Sequence, residues 1–184
     1  MILRAFRRGH YDRNIHALYG AIVAQARSPA FYRDYGVSDT VEGRFELIVL
    51  HLVLVLRRLG GVQLGRRVGR PAGQELFDLF CRDLDHNLRE MGTGDLAVPR
   101  EMRRFGEAFY GRQSAYRAAL ETTDDQELEK ALARNIFGVV GIDDKAARLA
   151  RYVRAAAAQL DATELDALMP AKVIFPRPEI FAHA

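Results

Sequence analysis

Acidic, basic and histidine side chains crowd one stretch of the chain, DLDHNLREMGTGD at residues 83–95. On a helix, Asp83, His86 and Arg89 recur every three residues and share one side. An aspartate three residues from a histidine is a pair able to ligate a metal or pass a proton. A di-iron bundle needs more, with carboxylates from four helices and two Glu-x-x-His motifs. None of the other histidines (His10, His16, His51, His183) has a Glu-x-x-His companion. The cluster therefore reads as a surface or partner-binding one, with no metal site. Gly92-Thr93-Gly94 follows a helix rather than a strand, and no Walker lysine accompanies it. No nucleophile elbow is present.

His51 falls in the most apolar segment and is predicted to be a hydrogen-bonded core histidine. Cys81 is the only cysteine, which excludes an internal disulfide and a multi-cysteine zinc or iron–sulfur site. Its place on a helix face predicts a small buried hydrophobe. Nothing here demands an enzyme, and no cofactor is implied. The contrary reading, a small helical metal- or haem-dependent enzyme, requires stoichiometric metal in the purified protein.

The elements that must position this cluster are helical. Residues 12–27 carry apolar side chains at three–four spacing, and Ser28-Pro29 stops them because a residue before proline resists the α region. A short helical turn, AFYRDY, ends at Gly36. Asp39 and Glu42 stand three apart, a capping-box-like start for a helix over 41–59 that Gly60-Gly61 ends. Its run FELIVLHLVLVL is broken only by Glu46 and His51. A membrane span needs about 20 mostly apolar residues, so this is predicted to be a core helix, apolar all round and surrounded by others.

Residues 62–73 read as an exposed basic loop. Further helices are predicted over 74–91, with Phe77, Phe80, Leu84, Leu88 and Met91 as its apolar stripe and Gly92 past its end. Others follow from Pro99, at a first helical position, to about Leu120, then over 124–137 and 144–160. A turn, TELDALM, ends at Pro170, and 171–184 is expected to be an extended tail. The chain reads as all-α, one single-domain multi-helix bundle over 1–184 with a central buried apolar helix.

Composition fits a globular chain, with 49% hydrophobic and 28% charged residues. The net charge of +3 is uneven, because residues 1–70 hold 12 Lys+Arg against 5 Asp+Glu. Arg57, Arg58, Arg66, Arg67 and Arg70 fall in this basic half. They are candidates to meet phosphates on anionic lipid or RNA, or else form a solvated face. A helical regulatory or nucleic-acid-binding module is the other competing class. It lacks a helix-turn-helix signature, and its basic residues surround a loop. No secretory signal is visible at the N-terminus, so a cytoplasmic location is expected.

The same polar stretch carries a resemblance. DLDHNLREMGTGDLAVP, followed by MRRFGEAFYGRQSAY, closely resembles the ubiquinol–cytochrome c chaperone family, assembly factors for the cytochrome bc1 complex. YGAIVAQARSPAFYRDYGV and DTVEGRFELIVLHLVLVLRRL are similar to the family's start. The likeness is strongest over about residues 15–120. It implies an assembly chaperone that binds newly made cytochrome b and assists its insertion, haem acquisition or assembly. Mitochondrial members act beside the ribosome exit with a small partner subunit. The absence of a visible transit segment favours a bacterial member, cytoplasmic and peripheral to the inner membrane, acting alone or as a homodimer.

Under that resemblance, Asp83, Asp85, Arg89, Glu90, Gly92, Gly94 and Asp95 become candidates for a client or partner surface. The other reading is that Arg89, Glu90 and Asp95 merely tie one helix to the next by ion pairs and a cap. Tyr110, Gly111 and Arg112 are a second candidate. Gly111 inside a helix costs about 1 kcal/mol relative to alanine, which predicts a close helix crossing or, failing that, a client contact. Arg27 and Tyr32, flanking Ser28-Pro29, are placed on the same surface. The basic loop is the candidate for anionic membrane or ribosome contact.

Overall fold

A computed structural model describes residues 2–60, 72–141, 144–164, 168 and 175–182, with side chains from residue 13 onward. Helix α1 (Ile2–Ala26) begins ten residues before the predicted start at residue 12, since no proline interrupts the chain before Pro29. Ile15, Leu18, Ile22 and Ala26 form its buried stripe. Helix α2 (Pro29–Arg33) follows the Ser28-Pro29 break and buries Phe31.

Helix α3 (Val41–Arg58) is the central post. Leu47 and every residue from Val49 to Leu56 are fully buried. It packs against α1, α5 (Val98–Glu121) and α7 (Asp144–Ala162). Each such Leu or Val contributes about 1.5–3 kcal/mol on leaving water, and the burial on all sides explains the lack of a polar stripe. Among the described residues no helix is long and apolar enough to cross a membrane.

The start of α3 differs from the expected Asp39–Glu42 box. Thr40 is the N-cap, its Oγ1 accepting from Gly43 N at 3.1 Å, while Asp39 instead accepts from Arg44 Nε at 2.7 Å. Thr40 has the extended backbone that aims its hydroxyl at the third helical amide. A Cβ at Gly43 would stand 2.0 Å from Ser38 O, so only glycine lets the first turn close beneath the incoming loop.

Helix α4 (Ala72–Glu90) takes up the last two residues of the expected basic loop; 61–71 lie outside the described residues. Gly92 takes φ +85°, and Thr93 N donates to Leu88 O at 3.0 Å, a Schellman-type end. Pro99 lies one residue inside α5, because Val98 is the first helical residue. The expected helix over 124–137 is split into α6 (Gln126–Leu132) and a π-helical turn (Ala133–Phe137) that ends at Gly138, φ +67°.

The expected extended tail is described over 175–182, and there it folds back. Pro178–Phe181 form a 3-10 turn against α2 and α7, burying Phe175, Pro178 and Ala182. Tyr35 donates to Pro178 O at 2.7 Å and Gln25 Nε2 to Pro176 O at 3.0 Å. A proline-rich segment cannot donate a full set of amides, but its carbonyls accept from side chains that reach them. Of TELDALM, residues 165–167 and Met169 lie outside the described residues; Leu168 is buried.

Candidate partner-binding face

The motif residues meet at the elbow between α4 and α5. Arg89 spans it, giving Nε to Asp85 Oδ2 at 2.8 Å and Nη1 to Asp95 Oδ1 at 2.5 Å. Asp85 is one turn back on α4, whereas Asp95 is in the loop. One guanidinium thus fixes the loop against the helix that precedes it. The hydrogen bond from Arg89 holds the Asp85 carboxyl below its ordinary range. All three side chains are substantially exposed, and water screens such pairs so that they add little to stability. His86 and Glu90 stand 3.1 Å apart on the same open side. Gly94 O accepts from Ala97 N at 2.7 Å and starts α5.

Asp83 is placed differently. It accepts from the Tyr19 hydroxyl at 2.8 Å and ties α4 to α1. Burial, and then this carboxylate, push the Tyr19 phenol far above its usual range.

Two apolar side chains stand open at the elbow. Leu96 is 99% exposed and Met91 58%. Met91 was expected on the buried stripe of α4, but α4 stops at Glu90 and the left-handed Gly92 turns the chain away. Leu96 carried no periodic signal, since it lies in a loop. Inward from the elbow, an aromatic row floors the α4–α5 seam. Ring centroids run Phe105–Phe45 at 4.9 Å, Phe45–Phe80 at 6.1 Å, Phe77–Phe80 at 6.2 Å and Phe77–Phe109 at 4.7 Å. Tyr110 continues the row 5.7 Å beyond Phe109 and is 44% exposed. Phe45 and Phe105 come from other helices and could be joined to Phe77 and Phe80 only in three dimensions.

Gly111 does not mark a close crossing. It is exposed, and a Cβ there would meet nothing within 4 Å. Arg112 turns inward and gives Nε and Nη2 to Glu46 at 2.6 and 2.5 Å, joining α5 to α3. Burial raises the Glu46 carboxyl above its usual range, partly offset by Arg112. The polar interruption of the apolar run is therefore a half-buried bidentate pair.

Arg27 and Tyr32 line a separate recess with Pro29, Arg33, Asp39 and Arg44, and no elbow residue shares it. Arg57 and Arg58 close the carboxyl end of α7. Arg57 Nη2 reaches Asp161 at 2.6 Å, while Arg58 donates to Leu160 O and Thr163 O at 2.9 and 2.7 Å. These donors complete a helix terminus. Arg66, Arg67 and Arg70 lie outside the described residues.

Among the described residues no group of three or more His, Cys, Asp or Glu is placed to hold a metal. Burial pushes the half-buried Cys81 thiol up to about 11 and pulls His51 down to about 4. The thiol is thus protonated and the imidazole neutral near pH 7. The elbow combines exposed apolar side chains, a charged rim and an aromatic floor, which suits reversible contact with an amphipathic or apolar segment.

The ubiquinol–cytochrome c chaperone family matches residues 33–175, most of the chain. Ubiquinol–cytochrome c reductase complex assembly factor 1 of Drosophila melanogaster is 28% identical over 156 residues, covering 82% of this chain. The chain spans 59% of that relative's length. The crystal structure of the Cbp3 homologue from Brucella abortus superposes with a TM-score of 0.83 at 36% identity, covering 97% of this chain and 98% of that one. With the helical order, the elbow motif and the matched span in agreement, this chain belongs to the ubiquinol–cytochrome c chaperone family.

Proposed function

We propose that this protein is an assembly chaperone of the cytochrome bc1 complex, that its client is newly made cytochrome b, and that it works at the membrane periphery by binding rather than by catalysis. The observation that carries the reading is the family match across residues 33–175. The fly relative, named for assembly of the ubiquinol–cytochrome c reductase complex, and the fold shared with the Cbp3 homologue add to it.

The client face in this reading is the α4–α5 elbow. Leu96 and Met91 supply apolar contact, Asp85, Arg89, Glu90 and Asp95 the polar rim, and Gly92 and Gly94 a backbone open to close approach. Tyr110 and Gly111 extend the face along α5. Apolar side chains exposed beside charged ones fit a client whose membrane segments need cover before insertion.

Affinity purification from native membranes of a deletion strain complemented with the tagged chain tests the assignment. Cytochrome b should co-purify, and the deletion should lose assembled bc1 complex. Normal bc1 levels in the deletion would refute the assignment.

A further inference from the structure

The recess lined by Arg27, Pro29, Tyr32, Arg33, Asp39 and Arg44 has a volume of about 490 Å³ and lies where the end of α1, α2 and the start of α3 meet. Three guanidinium groups border it, and two of them have carboxylate partners. Arg33 gives Nε and Nη2 to Asp34 at 2.6 and 2.7 Å, and Arg44 gives Nε to Asp39 at 2.7 Å. Arg27 has no carboxylate partner among the described residues. Among the described residues the recess therefore keeps one uncompensated positive charge. The Tyr32 hydroxyl is committed to Ala26 O at 3.1 Å, which holds its ring in the wall of the recess.

We propose that this recess docks a single carboxylate side chain from an acidic segment of a protein partner. One uncompensated cation matches one monoanion. A guanidinium presents parallel donors that a carboxylate accepts two at a time. Tyr32 and Pro29 suit the methylene stem of a glutamate. Asp39, kept ionised by the hydrogen bond from Arg44, repels a more highly charged group such as a phosphate dianion. None of these residues belongs to the elbow, so the inference does not depend on the client face.

The test is an NMR titration of the full chain, reading the Arg27 Nε–Hε and Tyr32 ring signals. The probe is hexaglutamate with blocked ends, with hexaglutamine as neutral control. Inorganic phosphate and phosphatidylglycerol vesicles form the other arms. Saturable, salt-sensitive shifts with hexaglutamate alone are expected, weakened at least tenfold by Arg27→Gln. That variant should keep the wild-type melting temperature, because Arg27 is exposed. No shift with hexaglutamate, unchanged affinity in Arg27→Gln, or a response to phosphate or vesicles without one to the peptide would overturn the proposal.

Discussion

The Tyr152 hydroxyl stands 2.8 Å from His51 Nε2 in the middle of the bundle, and the chemistry of the neighbours fixes the direction of the bond. His51 Nδ1 lies 2.7 Å from Leu47 O, which can only accept, so Nδ1 carries the proton. Nε2 then accepts from Tyr152, whose oxygen accepts in turn from Gln25 Nε2 at 3.0 Å. Gln25 uses its remaining amide proton on Pro176 O. This chain of donors runs from α3 through α7 and α1 to the folded-back tail. Phe31 and Phe175 meet the imidazole edge-on at 5.4 and 5.0 Å and exclude water from it.

A neutral buried imidazole makes stability depend on pH in a set direction. The folded-state value is lowered from 6.5 to about 4, so below pH 6.5 the unfolded chain binds the proton first. The contribution is complete above pH 6.5, falls as pH drops, and is fully lost just below pH 4. The whole effect is about 3 kcal/mol. Denaturant midpoints should decline between pH 6.5 and 5, before most carboxylates titrate. His51→Gln should be less stable at pH 7 yet flatter over that interval; an unchanged slope would assign the dependence elsewhere.

The Glu46–Arg112 pair predicts an asymmetry between single and double replacement. Arg112→Met leaves a half-buried carboxylate unpaired and should cost about 3 kcal/mol. Glu46→Leu with Arg112→Met removes both charges and should recover most of that loss. Urea unfolding of the two variants measures it. Equal destabilisation of both would mean that packing, and not the unpaired charge, sets the cost.

How far the sequence reached depends on the range of the forces involved. Periodicity and breakers located the helices and the buried post, because Ser28-Pro29, Gly60 and Gly92 act within a few residues of their own positions. His51 was legible as a core histidine for the same reason, although its partner Tyr152 lies 101 positions away and left no local trace. The motif was visible at 83–95, but its division was not. Asp83 serves α1, whereas Asp85 and Asp95 share Arg89. Thr40 against Asp39 was a contest between adjacent capping residues, decided by the backbone that Gly43 permits. The tail read as extended from its prolines; Gln25 and Tyr35 reaching its carbonyls, with Phe175 and Pro178 buried, fold it back.

Two glycines on helices should respond oppositely to alanine. At Gly43 the added methyl would overlap Ser38 O, so Gly43→Ala should destabilise by about 2 kcal/mol or more and disturb the Thr40 cap. At Gly111 the methyl enters open space, and Gly111→Ala should stabilise by up to about 1 kcal/mol. Thermal unfolding of both variants checks the signs. A destabilised Gly111→Ala would restore a packing role for that position.

At the elbow, stability and client capture should separate. Leu96 is 99% exposed, so Leu96→Asp should shift folding stability by no more than about 0.5 kcal/mol. Charge reversal at Asp85 and Glu90 removes exposed pairs with Arg89 and His86 and should leave the melting temperature nearly unchanged. If the elbow holds the client, both changes should cut cytochrome b co-purification several-fold at nearly constant melting temperature. If the motif is purely architectural, the charge reversal lowers the melting temperature and leaves capture intact, and Leu96→Asp does nothing. The Leu96 variant decides between them, because an apolar side chain held entirely in water has no fold to support.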